Sequence, residues 1–246
     1  MAEFDTIRTA GVGARAAQID EGLRAHMNKV YGLMSVGMLI TGAVAWAVGT
    51  SPALMSALMD PATGKMNILG WVVMFLPLGM VMFFGAALNR LSLAGAQLYF
   101  YVYAAIMGLS LAWIFLAFTG ASIATTFLVT AIAFASLSLY GYTTKRDLSP
   151  FGTFLIMGVV GLIVASLVNI FLASAAMSFA ISVIGVLLFA GLTAFDTQRI
   201  KNEYIQHAQA MDQEWLGKAA IMGALQLYLD FINLFMFLLQ FLGDRR

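Results

Sequence analysis

Cysteine is absent from this 246-residue chain. That excludes disulfides, thiol nucleophiles and cysteine-ligated zinc, and leaves the redox compartment unread. Histidine is nearly absent. His26 and His207 stand far apart in sequence, with no HExxH and no His–carboxylate cluster, so histidine-ligated metal catalysis has no support. No GxSxG and no GxxxxGK[ST] occurs, and GVGAR at 11–15 carries little weight among 23 glycines. No cofactor is implied. Charge is scarce: 10% of residues against about a quarter in a soluble domain. The net charge of +1 gives no reason to expect nucleic acid as a partner. The first 28 residues are polar and lack an apolar core followed by a small-residue cleavage site, which reads as an uncleaved tail.

What fills the chain instead is apolar: 61% hydrophobic, with no charged residue over 91–144 or over 148–195. A helix crosses a bilayer in about 20 apolar residues. The runs and their breaks predict an all-α, polytopic membrane bundle of seven spans. These lie near 30–50, 68–89, 97–118, 121–142, 151–172, 177–196 and 219–242. The domain organisation is a polar tail over 1–28 and one membrane domain over 29–246. The TGAS (119–122) and ASAA (173–176) turns are uncharged, whereas the alternate connections are charged. With the N-terminus in the cytoplasm, ten of 13 cationic residues face inward: Arg8, Arg15, Arg24, Lys29, Arg90, Lys145, Arg146, Arg199, Lys201 and Lys218. Lys65, Arg245 and Arg246 then lie outside. The positive-inside rule favours that orientation in an inner membrane. A re-entrant last segment, which would bring the terminal Asp-Arg-Arg inside, stays open.

One carboxylate breaks the pattern. Asp230 is the sole charge over 219–243. On a helical wheel Ala219, Gly223, Gln226, Asn233 and Gln240 share with it an arc of about 100°. The opposite side carries Leu225, Leu229, Phe231, Ile232, Phe235 and Met236. The sixth span repeats the design: Ser178, Ser182, Gly185 and Thr193 share an arc of about 80° with Asp196. Small residues permit close helix approach. The economical inference is a polar seam between the last two helices, where the two carboxyls meet or share a water. Ionisable residues inside a membrane mark functional sites and expect partners. The plainer alternatives are a register-fixing polar residue for Asp230 and a loop-starting residue for Asp196. Two close carboxyls cannot both ionise cheaply; the pair titrates as a unit. A shared proton locks the helices, and its loss forces repulsion unless a cation enters. Arg90, at the end of the second span, is a candidate latch for Asp196, beside the plainer reading of a cytoplasmic flank.

Other classes fit less well. Intramembrane aspartyl proteases also carry two late aspartates, but their second follows Gly-x-Gly and precedes Pro-Ala-Leu. Here Leu227, Tyr228 and Leu229 precede Asp230, and the last proline is Pro150. An enzyme is therefore not expected. A proton-coupled transporter would suit an acidic seam, yet paired broken helices are missing from the span pattern. The 16 methionines are flexible packing residues. Ile19, Leu23, Met27 and Val30 recur at helical spacing and predict an amphipathic lead-in lying on the membrane surface.

GLTAFDTQRIK (191–201), LYLDFINLFMFLL (227–239), YGYTTKRDLSPFG (140–152) and the charge-free block before Lys145 together resemble the Bax inhibitor-1 family in its bacterial branch. The resemblance runs from about residue 25 to the C-terminus. It implies a seven-helix bundle with the last helix central, and a pH-sensitive calcium leak channel gated by an aspartate pair. Asp196 and Asp230 match that pair, as pH sensors and as a transient calcium site. Phe195 departs from the family's Tyr-Asp pairing. Arg90 fits the place of the family's latch. The resemblance also offers an alternative: a non-transporting regulator that binds a membrane quality-control protease through its N-terminal tail. Gating direction stays open, since acid can dissolve a carboxylate–Arg latch or restore the shared proton.

Overall fold

The computed structural model describes residues 2–60, 63–208, 210 and 212–245; for 2–18 it describes the backbone alone. The side chains of Arg8 and Arg15, and the whole of Arg246, lie outside the described residues. Seven long helices are α1 (Ala2–Gly49), α3 (Ile68–Arg90), α4 (Leu93–Leu111), α6 (Gly120–Thr143), α7 (Ser149–Leu172), α8 (Ala175–His207) and α9 (Gln213–Leu242). Two single turns, α2 (Pro52–Met55) and α5 (Ile114–Ala117), extend the first and third spans. All seven are long and apolar enough to cross a membrane. No strand forms among the described residues.

Side-chain caps define the ends. Asn67, Ser92, Thr119, Ser174 and Asp212 each accept the backbone N–H three residues on, satisfying one of the donors every helix start leaves free. Before α7 the Asp147 carboxylate accepts the Ser149 N–H at 2.9 Å, and that bond holds it below the usual carboxylate range. The cap positions explain why the helices outrun the sequence-read spans. Thirty-three residues make α8 about 50 Å long, well beyond the roughly 30 Å hydrocarbon core. α8 therefore carries Asp196 in its interior, with eleven residues still to follow before its end at His207. The loop expected to begin at Asp196 begins at Ala208.

α9 is the axis. α1, α4, α6 and α8 all pack on it, while α3 and α7 sit at the periphery. Ala220, Ile221, Ala224, Leu227, Tyr228 and Leu239 are fully buried along its length. The apolar side of α9, with Leu225, Phe231, Ile232 and Phe235 buried, thus faces packed core and not lipid. Lipid-facing apolar residues concentrate on the outer helices, as on α7 at Phe154, Met157 and Phe171.

Two features depart from the sequence reading or resolve what it left open. The lead-in containing Leu23, Met27 and Val30 does not lie on the membrane surface. It continues straight into α1, and its apolar stripe is buried in the main core with Ile200 and Ile221. Its surface is taken up by protein packing: the His26 ring lies against Tyr204, tilted, at 4.8 Å between ring centres. The last segment runs the full length of the bundle and does not turn back. α9 is continuous over 30 residues, about 45 Å, and its end meets the far side of the bundle. There Thr119 N–H donates to Asp244 O at 3.1 Å, and Asp244 N–H donates to Ser122 Oγ at 2.8 Å.

Candidate functional site

α8 and α9 run antiparallel and form the most extensive helix pair of the bundle. Close approach around them is built from small residues. A Cβ on Gly141 of α6 would overlap the carbonyl of Ala194 on α8, so only glycine lets those backbones meet. A Cβ on Gly185 would lie 2.6 Å from the Phe237 ring of α9. Gly223 of α9 sits against Ile200 of α8 in the same way, at 3.2 Å.

Within this interface the carboxyls of Asp196 and Asp230 lie within hydrogen-bonding reach of each other. Asp196 is 9% exposed and Asp230 5%. Asp230 Oδ2 meets no N–H or O–H donor among the described residues. An acceptor facing another acceptor gains a hydrogen bond only when one of them carries a proton. The geometry therefore suits one proton held between two carboxyl groups. Without that proton, two negative charges would face each other in a medium of low polarity.

One cation bears on the pair. Arg199, one turn along α8, places Nη1 3.9 Å from Asp196 Oδ1 and is itself half exposed. Arg90 does not take this position. It ends α3, exposed, and forms no ion pair among the described residues. The sequence pointed to Arg90 because charge counts place it on the right side of the membrane; Arg199 wins the contact because i and i+3 share a helix face.

The rest of the seam divides. Ser182 Oγ reaches Gln240 Oε1 at 3.3 Å and links the far ends of α8 and α9. Thr193 is fully buried and donates back to Phe189 O at 2.8 Å. Asn233 donates to Leu229 O at 2.8 Å. These two side chains satisfy themselves within their own helices. Gln226 is half buried, with no contact to the carboxyl pair among the bonds described.

Three partners of this region carried no sequence signal. Thr197, next to Asp196, bonds Ser138 of α6 at 2.8 Å, and Ser138 bonds the Tyr31 hydroxyl of α1 at 2.5 Å. Tyr228, two residues before Asp230, bonds Thr41 of α1 at 2.7 Å. Gln198 donates to Arg146 O and accepts from Leu148 N–H, both at 2.8 Å, pinning the charged 144–148 connection onto α8. Each is a long-range pairing of common polar residues, and no spacing rule marks them. Around the pair the scaffold is thus tied at fixed points, while the pair itself has one long ion pair, from Arg199 to Asp196.

The sequence places this arrangement among known proteins. The family model described as Inhibitor of apoptosis-promoting Bax1 matches residues 23–246. The chain belongs to the Bax inhibitor-1 family. Relatives match over more than nine-tenths of the chain. Inner membrane protein YbhL of Escherichia coli is 47% identical over 92% of this chain and 94% of its own length. A protein of Rickettsia prowazekii is 44% identical over 99% of both chains. One from Caulobacter vibrioides is 45% identical over 93% of this chain. As a Bax inhibitor-1 family protein with seven apolar helices, the chain is a multi-pass membrane protein.

Proposed function

We propose that the protein is a pH-sensitive cation leak of the inner membrane, with calcium as the permeant ion, gated by Asp196 and Asp230. The observation that carries this is the contact of the two carboxyls across the α8–α9 interface, with Asp230 Oδ2 lacking a donor. The inner-membrane assignment follows the name of its relative YbhL and the positive-inside count, which puts the N-terminus in the cytoplasm.

The mechanism follows from charge. With one proton shared, the pair bears a single negative charge, offset by Arg199 at 3.9 Å, and α8 stays against α9. Removing the proton leaves two negative charges in contact, and the helices separate unless a cation neutralises them. Two carboxylates supply only part of the roughly six to eight oxygens calcium takes, so the ion is held briefly and released, as conduction requires.

Calcium flux into proteoliposomes at about pH 6 and about pH 8 tests this. A free carboxyl, with a reference near 4, is ionised at both, so any pH dependence carried by these residues belongs to a perturbed pair. Wild type is expected to conduct with a rate that differs between the two pH values. Asp196→Asn and Asp230→Asn are each expected to abolish that difference, while His26→Gln and His207→Gln leave it. Flux no greater than in empty liposomes at either pH would overturn the proposal.

A further inference from the structure

Beside the carboxyl pair the bundle holds a larger feature. α1 and α6 both pack along α9 without forming a continuous interface with each other, and between them opens a cavity of about 1010 Å³. Phe231 of α9, next in the chain to Asp230, forms part of its floor. The lining is graded. Arg24 and Asn28 stand at one end, together with Tyr142. Lys201 adds a second cation there: its Nζ donates to Tyr142 O at 2.7 Å and lies 5.5 Å from the Tyr142 ring centre. Further in, the hydroxyls of Tyr31 and Ser138 are already engaged, with each other and, for Ser138, with Thr197. Beyond them the walls are apolar, as at Met38, Leu39, Phe127 and Ala131, with Ser35 the remaining hydroxyl.

Its length matches one kind of occupant. From Arg24 to Leu39 the wall of α1 rises about 22 Å, as does the wall of α6 from Phe127 to Tyr142. That equals half of a bilayer about 40–45 Å thick with its headgroups. A spanning helix of a partner protein would need the full hydrocarbon thickness of about 30 Å or more; the walls of this cavity stop short of that, at Leu39 on α1 and Phe127 on α6, well before the ends of those helices at Gly49 and Gly120. Water or an ion would find few free polar groups in the inner part. An acyl chain, with its headgroup at Arg24, meets like with like along the whole length.

We infer that the α1–α6 groove is a binding site for one phospholipid with an anionic headgroup, taken from the leaflet that holds the N-terminus. An acyl chain gains nothing by leaving lipid for an apolar groove, because lipid tails are as apolar as leucine. Selectivity therefore resides in the headgroup end. Arg24 is exposed and forms no ion pair among the described residues, although Asp20 and Glu21 lie one turn before it. Basic pockets between spanning helices recognise anionic headgroups, and each cation near the surface adds about 1 kcal/mol, a factor of about five. The inference stands apart from the leak and uses neither aspartate.

The test uses the full chain in phosphatidylcholine vesicles doped with phosphatidylglycerol that carries a photoactivatable group on its acyl chain. Cross-linked peptides are identified by mass spectrometry, and the same probe on phosphatidylcholine is the comparison. Labelling is expected to concentrate around Met38, Phe127 and Ala131 with the anionic probe. Arg24→Gln, a surface change, is expected to lower that labelling about fivefold while the phosphatidylcholine signal is unchanged. Ala131→Trp, which fills the groove, is expected to remove it; thermal unfolding reports whether that variant folds. Equal labelling by both probes, or labelling of α3 and α7 as strong as of the groove, would mean surrounding lipid only and would overturn the inference. Cross-links to a second polypeptide at these residues would overturn it in favour of a partner helix.

Discussion

Asp230 Oδ2 is a buried acceptor without a donor among the described residues, and the consequences belong to single atoms. Asparagine keeps the shape of aspartate, supplies an N–H toward Asp196 and removes one titratable group. Alanine removes the partner and leaves Asp196 buried beside Arg199 at 3.9 Å. Asp230→Asn is therefore expected to unfold within about 1 kcal/mol of wild type in detergent, since hydrogen bonds between spanning helices are individually modest. Asp230→Ala is expected to cost about 1–3 kcal/mol, the penalty of a stranded polar group. Thermal unfolding of the two variants side by side checks the order. Equal losses would mean that the carboxyl itself matters, which both variants remove, and not the shape or the hydrogen bond that asparagine keeps. The sequence marked Asp230 unaided, because one charge among 25 residues of a span contradicts the solvent around it. Thr41, Ser138 and Gln198 left no such mark: hydroxyls and amides are common, and their role depends on which helix they meet.

At the scale of the element, helix packing depends on where side chains are missing. Gly141 brings α6 onto the Ala194 carbonyl of α8, one turn from Thr197 and its bond to Ser138. A methyl group there has no flexible neighbour to push aside, because backbone stands in its way. Gly141→Ala is expected to destabilise by about 1–3 kcal/mol, the range for overpacking, and to raise amide hydrogen exchange in the facing part of α8. An unchanged unfolding temperature would show that α6 and α8 separate freely at this point. Helix existence was legible from apolar runs, since a membrane demands about 20 apolar residues per crossing. Helix ends were less so. The polar ends of α8 and α9 are as helical as their apolar middles and look like loop in a hydropathy reading. The lead-in of α1 shows the same limit from the other side. Its stripe of Leu23, Met27 and Val30 is amphipathic either way, and nothing in the spacing tells whether lipid or α9 covers it.

For the whole molecule the open quantity is orientation, and the absence of cysteine makes it easy to measure. Single cysteines at exposed position 64, on the connection after the first span, and at exposed position 176, in the first turn of α8, are expected to react with an impermeant maleimide in intact cells. A cysteine at exposed position 146 is expected to react only after the membrane is opened. The reverse pattern would place the N-terminus outside and overturn the charge-based assignment. Composition and hydropathy alone determined the class of molecule, the seven candidate spans and the two aspartates that stand out, because the bilayer is a uniform solvent that punishes every exception in the same way. The tertiary structure decided what depends on neighbours. It put α9 at the centre, ran it through to the far side of the bundle, set Arg199 beside Asp196 while Arg90 stays apart, and opened a groove between α1 and α6. Apolar faces look alike in sequence whether lipid or protein covers them; only packing separates the two, since burial against protein is a property of pairs of helices and not of either one.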